Sequence, residues 1–200
     1  FETRGFEGMA AQWEAAIAAK AQWVEIVTWN DWTEATYVAS FGPPVTTELW
    51  DGHWGPLLSH EAYLAASEYH IRWFKSGVQR VERDQLYWFY RLAPRTAPGR
   101  STPDGDPKDF PRGAGDLEDR AFASAFLTKP ALVIIRSGER RQEFSLSEGL
   151  HHISVEFAPG AQRFAVEREG QTILAGEGAF LIGSDNWSNF NYSSGEALPV

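Results

Sequence analysis

The chain has no cysteine among its 200 residues. That excludes disulfide staples, thiolate nucleophiles and thiolate metal sites. It fixes no compartment, since many exported bacterial proteins also lack cysteine. Positive charge is scarce as well. Eighteen Lys and Arg face 27 Asp and Glu, a formal net charge of −9. Nucleic-acid phosphates would be repelled, and no basic membrane anchor is present, so neither partner is expected. No apolar run approaches the roughly 18 residues of a membrane span. There is no G-x-S-x-G, no phosphate-cradling glycine loop and no dinucleotide fingerprint. No signal peptide is expected within these residues, and Phe1 is not an initiator Met. The chain is therefore expected to begin in the middle of a longer protein.

What the chain has is tryptophan. Eight of its nine Trp fall between Trp13 and Trp88, and only Trp187 lies beyond. The first half has ring surface to spare for stacking on a ligand, whereas the second reads as a plain apolar sandwich. Met9, Trp13, Ala16, Ile17 and Lys20 recur at helical spacing and predict a helix over 7–20. A β-branched run predicts a strand over 23–29. A long loop, 30–58, follows. Ser59 can cap a second helix, 60–76, with Leu64, Ser67, Ile71 and Phe74 inward and Gly77 as its C-terminal cap. Residues 85–92, QLYWFYRL, predict a further strand.

A helical crossover between two strands implies that they are parallel. Two strands cannot bury both faces of a parallel sheet. Residues 1–93 are therefore expected to be the C-terminal portion of an eight-stranded (β/α)8 TIM barrel whose earlier strands are missing. Five prolines and four glycines mark 94–118 as a linker. From 119 to 200 turn glycines fall at 138, 149, 160 and 170, between short alternating runs. Seven strands, 121–128, 131–137, 142–147, 151–157, 162–168, 172–175 and 179–183, predict an antiparallel β-sandwich. The expected class is thus α/β followed by all-β.

The chemistry concentrates in VEIVTWNDWTEATY, residues 24–37. Asp31 and Glu34 lie just past a strand, between aromatic rings, where a barrel enzyme gathers its catalytic groups. Glycoside hydrolysis needs one carboxylic acid to protonate the leaving oxygen and one carboxylate to activate water or attack carbon. Trp29, Trp32 and Tyr37 can stack on pyranose faces or pack the rim. Asn30 can bond a sugar hydroxyl or hold the turn. Glu25 points with Val27 and Trp29, and a buried carboxylate there needs an ion-pair partner. Trp50, His53, Trp54 and His60 can wall a subsite. His53 and His60 lack close metal-ligand spacing, and no metal site is expected. His151 and His152 open a sandwich strand and are expected at the surface. Asn186 and Asn191 each begin a glycosylation sequon, a short pattern that often arises by chance.

The stretch VEIVTWNDWTEATYV resembles the signature of family 71 glycoside hydrolases, the α-1,3-glucanases or mutanases. Those carry a strand ending in T-W-N-D, a Glu three residues after the Asp and a Tyr three after the Glu, here Thr28, Trp29, Asn30, Asp31, Glu34 and Tyr37. GMAAQWEAAI looks like the family's preceding helix, YHIRWFKSG and DQLYWFYR like its crossover helix and final strand, and LTKPALVIIRSG and NWSNFNY like its C-terminal β-domain. The resemblance implies endo-hydrolysis of α-1,3-glucan with inversion, Asp31 and Glu34 being the catalytic acid/base pair in an order left open. Trp29, Asn30, Trp32, Tyr37 and His60 would then meet the polysaccharide. It also implies no cofactor and a secreted or cell-surface enzyme, expected to be a monomer at full length. Thr33, Ala35 and Thr36 depart from the Gly, Ser and His usual around the Glu. An endo-α-mannan barrel family shares a similar motif. A non-catalytic carbohydrate-binding or structural sandwich is the alternative outside catalysis. The isolated 200 residues are expected to be inactive and poorly soluble.

Overall fold

The computed structural model describes residues 3–32, 34–39, 58–97, 114–183 and 191–200. Two helices precede a β-sandwich: α1 (Glu7–Ala18) and α2 (Glu61–Ser76). The strands are β1 (Gln85–Tyr90), β2 (Arg120–Leu127), β3 (Ala131–Ser137), β4 (Arg140–Leu146), β5 (Gly149–Glu156), β6 (Gln162–Arg168), β7 (Gln171–Glu177), β8 (Ser193–Glu196) and β9 (Leu198–Pro199). They form one sheet in the order β5-β2-β1-β8 and another in the order β4-β3-β6-β7-β9. The pairings are antiparallel throughout. The antiparallel sandwich expected from the turn rhythm is present, with strands at 120–127, 131–137, 140–146, 149–156, 162–168 and 171–177.

The barrel strands are not. Residues 85–92 were expected to pair in parallel with 23–29, but β1 pairs antiparallel with β2 on one side and β8 on the other. No slot remains for 23–29, which join no ladder among the described residues. The physical reason is burial on both faces. Leu86, Trp88 and Tyr90 enter the core between the sheets, while Tyr87 and Phe89 meet the helices on the outer face. A strand covered twice reads as one continuous apolar run, whether its sheet is parallel or not. β2 does the same, with Ala121, Ala123, Ala125 and Leu127 inward and Phe122 and Phe126 outward.

That outer layer of rings sets the orientation of α2. Large rings on the sheet demand small residues on the helix, so Ala62 and Ala66 lie buried against them with Tyr69 and His70 beside them. The stripe expected to face inward is therefore rotated. Ser67 is buried, but Leu64, Ile71 and Phe74 are only half-buried. Ser67 serves the seam with α1, accepting from Trp13 Nε1 at 3.3 Å and donating to the Tyr63 carbonyl at 2.8 Å. Gly77 closes α2 at φ 71°, the left-handed cap that glycine adopts without a Cβ clash.

Between the sheets, Trp88 stacks on Phe164 at 4.8 Å and 6°. Gly176 and Gly195 make room for it, since a Cβ at either would approach the indole to 2.4 or 2.5 Å. The last expected strand, 179–183, is reduced to one bridge between Gly160 and Ile182. Its place in the count is taken by β8, whose sequence SSGE carries no apolar signal. The described ends of the expected linker are tied to each other. Arg95 donates from its backbone to Asp119 at 2.8 Å and from its guanidinium to the Gly115 carbonyl at 3.0 Å. His152 is not at the surface as expected: it is half-buried and lies 2.9 Å from the Ser124 hydroxyl.

Candidate active site

The segment after α1 is extended, with Trp23, Glu25, Val27 and Trp29 turned to solvent and Val24, Ile26 and Thr28 half-buried. Glu25, expected to seek a buried ion pair, is exposed and makes none among the described residues. The chain then folds back on itself. Thr28 N–H donates to the Thr36 carbonyl at 3.1 Å, Val38 N–H to the Thr28 carbonyl at 3.0 Å and Ala39 N–H to the Trp29 carbonyl at 2.9 Å.

Short polar side chains organise the loop inside that clasp. The Thr28 hydroxyl accepts from Asp31 N–H at 2.9 Å, and Asp31 Oδ1 accepts from Glu34 N–H at 3.0 Å. Such Asp and Thr bonds to nearby amides pin a turn without secondary structure. Ala35 completes it in the left-handed region at φ 58°. Both carboxylates thus issue from one self-capped loop. Asp31 is half-buried, with Oδ1 engaged by the Glu34 amide, and Glu34 is exposed.

The rings divide into two groups. Trp29 is 60% exposed, and Asn30 beside it is also open to solvent. Trp32 is half-buried, its ring 4.6 Å from that of Tyr37 and tilted by 54°. Tyr37 and His60 lie beneath, 1% and 4% exposed. They stack at 4.2 Å and 7°. Tyr37 Oη donates to the Leu58 carbonyl. His60 Nδ1 lies 3.0 Å from the Tyr37 carbonyl, which makes it the donor there. Burial pushes the His60 pKa down to about 4 and the Tyr37 pKa up to about 12, so both are neutral near pH 7. Neither ring is open to a ligand in this arrangement. The open surface belongs to Trp29, Asn30 and Glu34, with Asp31 and Trp32 at its edge. Trp50, His53 and Trp54 lie outside the described residues.

Sequence reasoning missed the floor of the site. Asn191, just before β8, donates from Nδ2 to Tyr37 Oη at 3.5 Å, and Ser194 Oγ donates to the Ser59 carbonyl at 2.7 Å. The signal was the cluster NFNYSS near the chain end, polar where a sandwich strand would be apolar. Among the described residues no group of His, Asp and Glu is arranged to hold a metal ion. The chemistry available is that of two carboxylates beside an exposed indole and a primary amide.

The family model described as Glycosyl hydrolase family 71 matches residues 2–199. A mutanase of Penicillium rubens is 29% identical over 187 residues, which cover 91% of this chain and 40% of that protein. A glucan endo-1,3-alpha-glucosidase of Schizosaccharomyces pombe is 26% identical over 190 residues, 92% of this chain and 43% of its own length. The chain thus spans about two fifths of the curated relatives that it matches. No solved structure gives a significant match.

Proposed function

The chain belongs to glycosyl hydrolase family 71, and on that premise we propose that it forms part of an enzyme that hydrolyses α-1,3-glucan with Asp31 and Glu34 as its acid/base pair. One carboxyl group protonates the departing glycosidic oxygen. The other deprotonates a water that attacks the anomeric carbon from the opposite face, through an oxocarbenium-like transition state. Configuration inverts, and the two groups exchange protonation before the next cycle. Trp29 supplies a flat apolar face for a glucose ring, and Asn30 a donor and an acceptor for its hydroxyls. Tyr37 and His60, closed to solvent, support the loop rather than line the groove.

The observation that carries the reading is the self-capped loop: Asp31 Oδ1 accepts from the Glu34 backbone N–H at 3.0 Å, which orients the Asp31 carboxylate and pins the backbone from which Glu34 projects, beside the open Trp29 ring. The names of the two relatives support the α-1,3-glucan substrate. The groove itself needs further protein. Trp23, Val27 and Trp29 are large, apolar and exposed, and the α2 flank at Leu64, Ile71 and Phe74 is only half-covered. A barrel layer packed on these surfaces, supplied by a longer polypeptide, completes them. The reading makes such an enzyme a monomer that acts outside the cell or at its surface.

A purely binding role for the sandwich has less support. The large apolar residues that it exposes among the described residues are Leu181, Leu198 and Val200, none of them aromatic. The test is to give the full-length protein α-1,3-glucan and α-1,6-linked mannan separately and follow the released anomer by NMR. The reading expects cleavage of the glucan with the β-anomer appearing first. Cleavage of the mannan alone, or an α-anomer first, contradicts it.

A further inference from the structure

We propose that the segment leading into β8 is a positioning element for the carboxylate loop, with Asn191 and Tyr37 as its two working residues. The inference rests on the reading of Asp31 and Glu34 given above and adds to it a role for the β-sandwich, which otherwise carries no part of the site. The chain of contacts is continuous. Asn191 Oδ1 accepts from Tyr192 N–H at 3.0 Å, which fixes the amide so that Nδ2 faces Tyr37 Oη at 3.5 Å. Tyr37 Oη in turn donates to the Leu58 carbonyl, so the phenol is both donor and acceptor within the protein. Three residues along, Ser194 Oγ holds the Ser59 carbonyl at 2.7 Å. The sandwich therefore grips the 58–60 segment and Tyr37 together.

From Tyr37 the path to the carboxylates is short. Its ring lies flat on His60 at 4.2 Å and also meets Trp32, tilted by 54° with centroids 4.6 Å apart. Its neighbour Thr36 accepts the N–H of Thr28, whose hydroxyl holds the Asp31 amide at 2.9 Å. Trp32 itself lies between Asp31 and Glu34 in the chain. A ring present only to fill space would need no hydroxyl, since a buried hydroxyl must be satisfied. A buried hydroxyl between an amide and a carbonyl fixes the ring in rotation as well as in place. Loss of either bond lets the ring slide on His60 and takes Trp32 with it. A shift of about 1 Å in a catalytic group can cost up to about 100-fold in rate.

The test uses the full-length protein and an α-1,3-linked glucan oligosaccharide. The variants are Asn191→Ala, Tyr37→Phe, the double variant and Asp31→Asn, with kcat, KM and melting temperature measured for each. Tyr37→Phe keeps the ring, and therefore the fold, if Asn191→Ala does not. The inference expects each single variant to lose about tenfold in kcat with KM within about twofold. It expects the double variant to lose no more than the worse single, because the two act as one unit. Single variants with kcat within twofold of wild type overturn the inference, as does a loss that tracks melting temperature alone. Asp31→Asn separates the two claims. An inactive Asp31→Asn beside fully active clamp variants removes the clamp and leaves the carboxylate reading standing. An active Asp31→Asn removes that reading and the clamp with it.

Discussion

Replacing Asp84 by Asn should cost about 2 kcal/mol of stability, and the cost should depend on pH in a defined direction. Asp84 lies between α2 and β1 and joins them to the far side of the sandwich. Its Oδ1 accepts from Thr128 N at 2.8 Å, Thr128 Oγ1 at 3.0 Å and Arg168 Nη2 at 3.0 Å, and its Oδ2 accepts from Arg168 Nη1 at 2.7 Å. Both side chains are about four-fifths covered. Asn keeps one oxygen for Thr128 but breaks the bidentate fork, an interaction worth roughly 1.5–3 kcal/mol when one partner is charged. Arg168 still reaches the carbonyls of Lys129 at 3.0 Å and Pro130 at 3.2 Å, which places the loss in the lower half of that range. Arg168→Gln should cost a similar amount, and a double-mutant cycle should show a coupling of about 1–2 kcal/mol. The Arg168 guanidinium holds the Asp84 carboxyl below its ordinary value. Such a group contributes its stability above about pH 4 and loses it as pH falls through the lower folded-state pKa. Urea denaturation of the full-length protein should therefore show a constant gap between wild type and Asp84→Asn from pH 5 to pH 8, narrowing below pH 4. A gap under about 0.5 kcal/mol at pH 7, the usual scale for surface substitutions, or one unchanged at pH 3, would refute the reasoning.

Burial also pushes His70, packed among Phe6, Trp13 and Tyr69, down to about 4, with the nearby His152 adding to the shift, and burial lowers His152, which lies against Phe6. Groups buried neutral contribute fully above their unfolded value near 6.5 and oppose folding as pH falls toward the folded value. Melting temperature should drop between pH 6.5 and pH 4, and His70→Leu should flatten that slope; an unchanged slope contradicts the assignment. Gly195→Ala drives a Cβ to within 2.5 Å of the Trp88 indole and should destabilise by about 1–3 kcal/mol in chemical denaturation, whereas Gly170→Ala, with no atom within 4 Å but φ at 77°, should cost only about 1 kcal/mol. Asn191 heads a sequon, yet its Nδ2 faces Tyr37 Oη at 3.5 Å, so peptide mass spectrometry of the protein from a glycosylating host should find Asn191 bare.

The sandwich was legible because half-buried antiparallel strands alternate and their turns need glycine. Val133/Ile135, Phe164/Val166 and the glycines at 138, 149, 160 and 170 carry that pattern openly. β1 misled because coverage by helices on one face and a sheet on the other erases alternation, and what remains looks like a barrel strand. β8 was invisible because Ser193–Glu196 is held by pairing with β1 rather than by apolar burial. At the site, the two carboxylates stand out by type and spacing, whereas packing was the favoured expectation for Trp29, which the fold leaves 60% exposed. The inward turn of Tyr37 and His60 could not be picked out, because nothing in the local pattern says that a residue more than 150 positions away will satisfy the phenol.

The central claim is that Asp31 and Glu34 perform the hydrolysis. The direct measurement is release of reducing ends from α-1,3-glucan by the full-length protein carrying Asp31→Asn or Glu34→Gln, each checked for unchanged folding by circular dichroism. Both substitutions keep side-chain size while removing the proton donor or acceptor that the reaction needs, and loss of a general acid or base typically costs about 100- to 10,000-fold. The account predicts a fall of at least that lower size in kcat for each. Near wild-type turnover by either folded variant would contradict it.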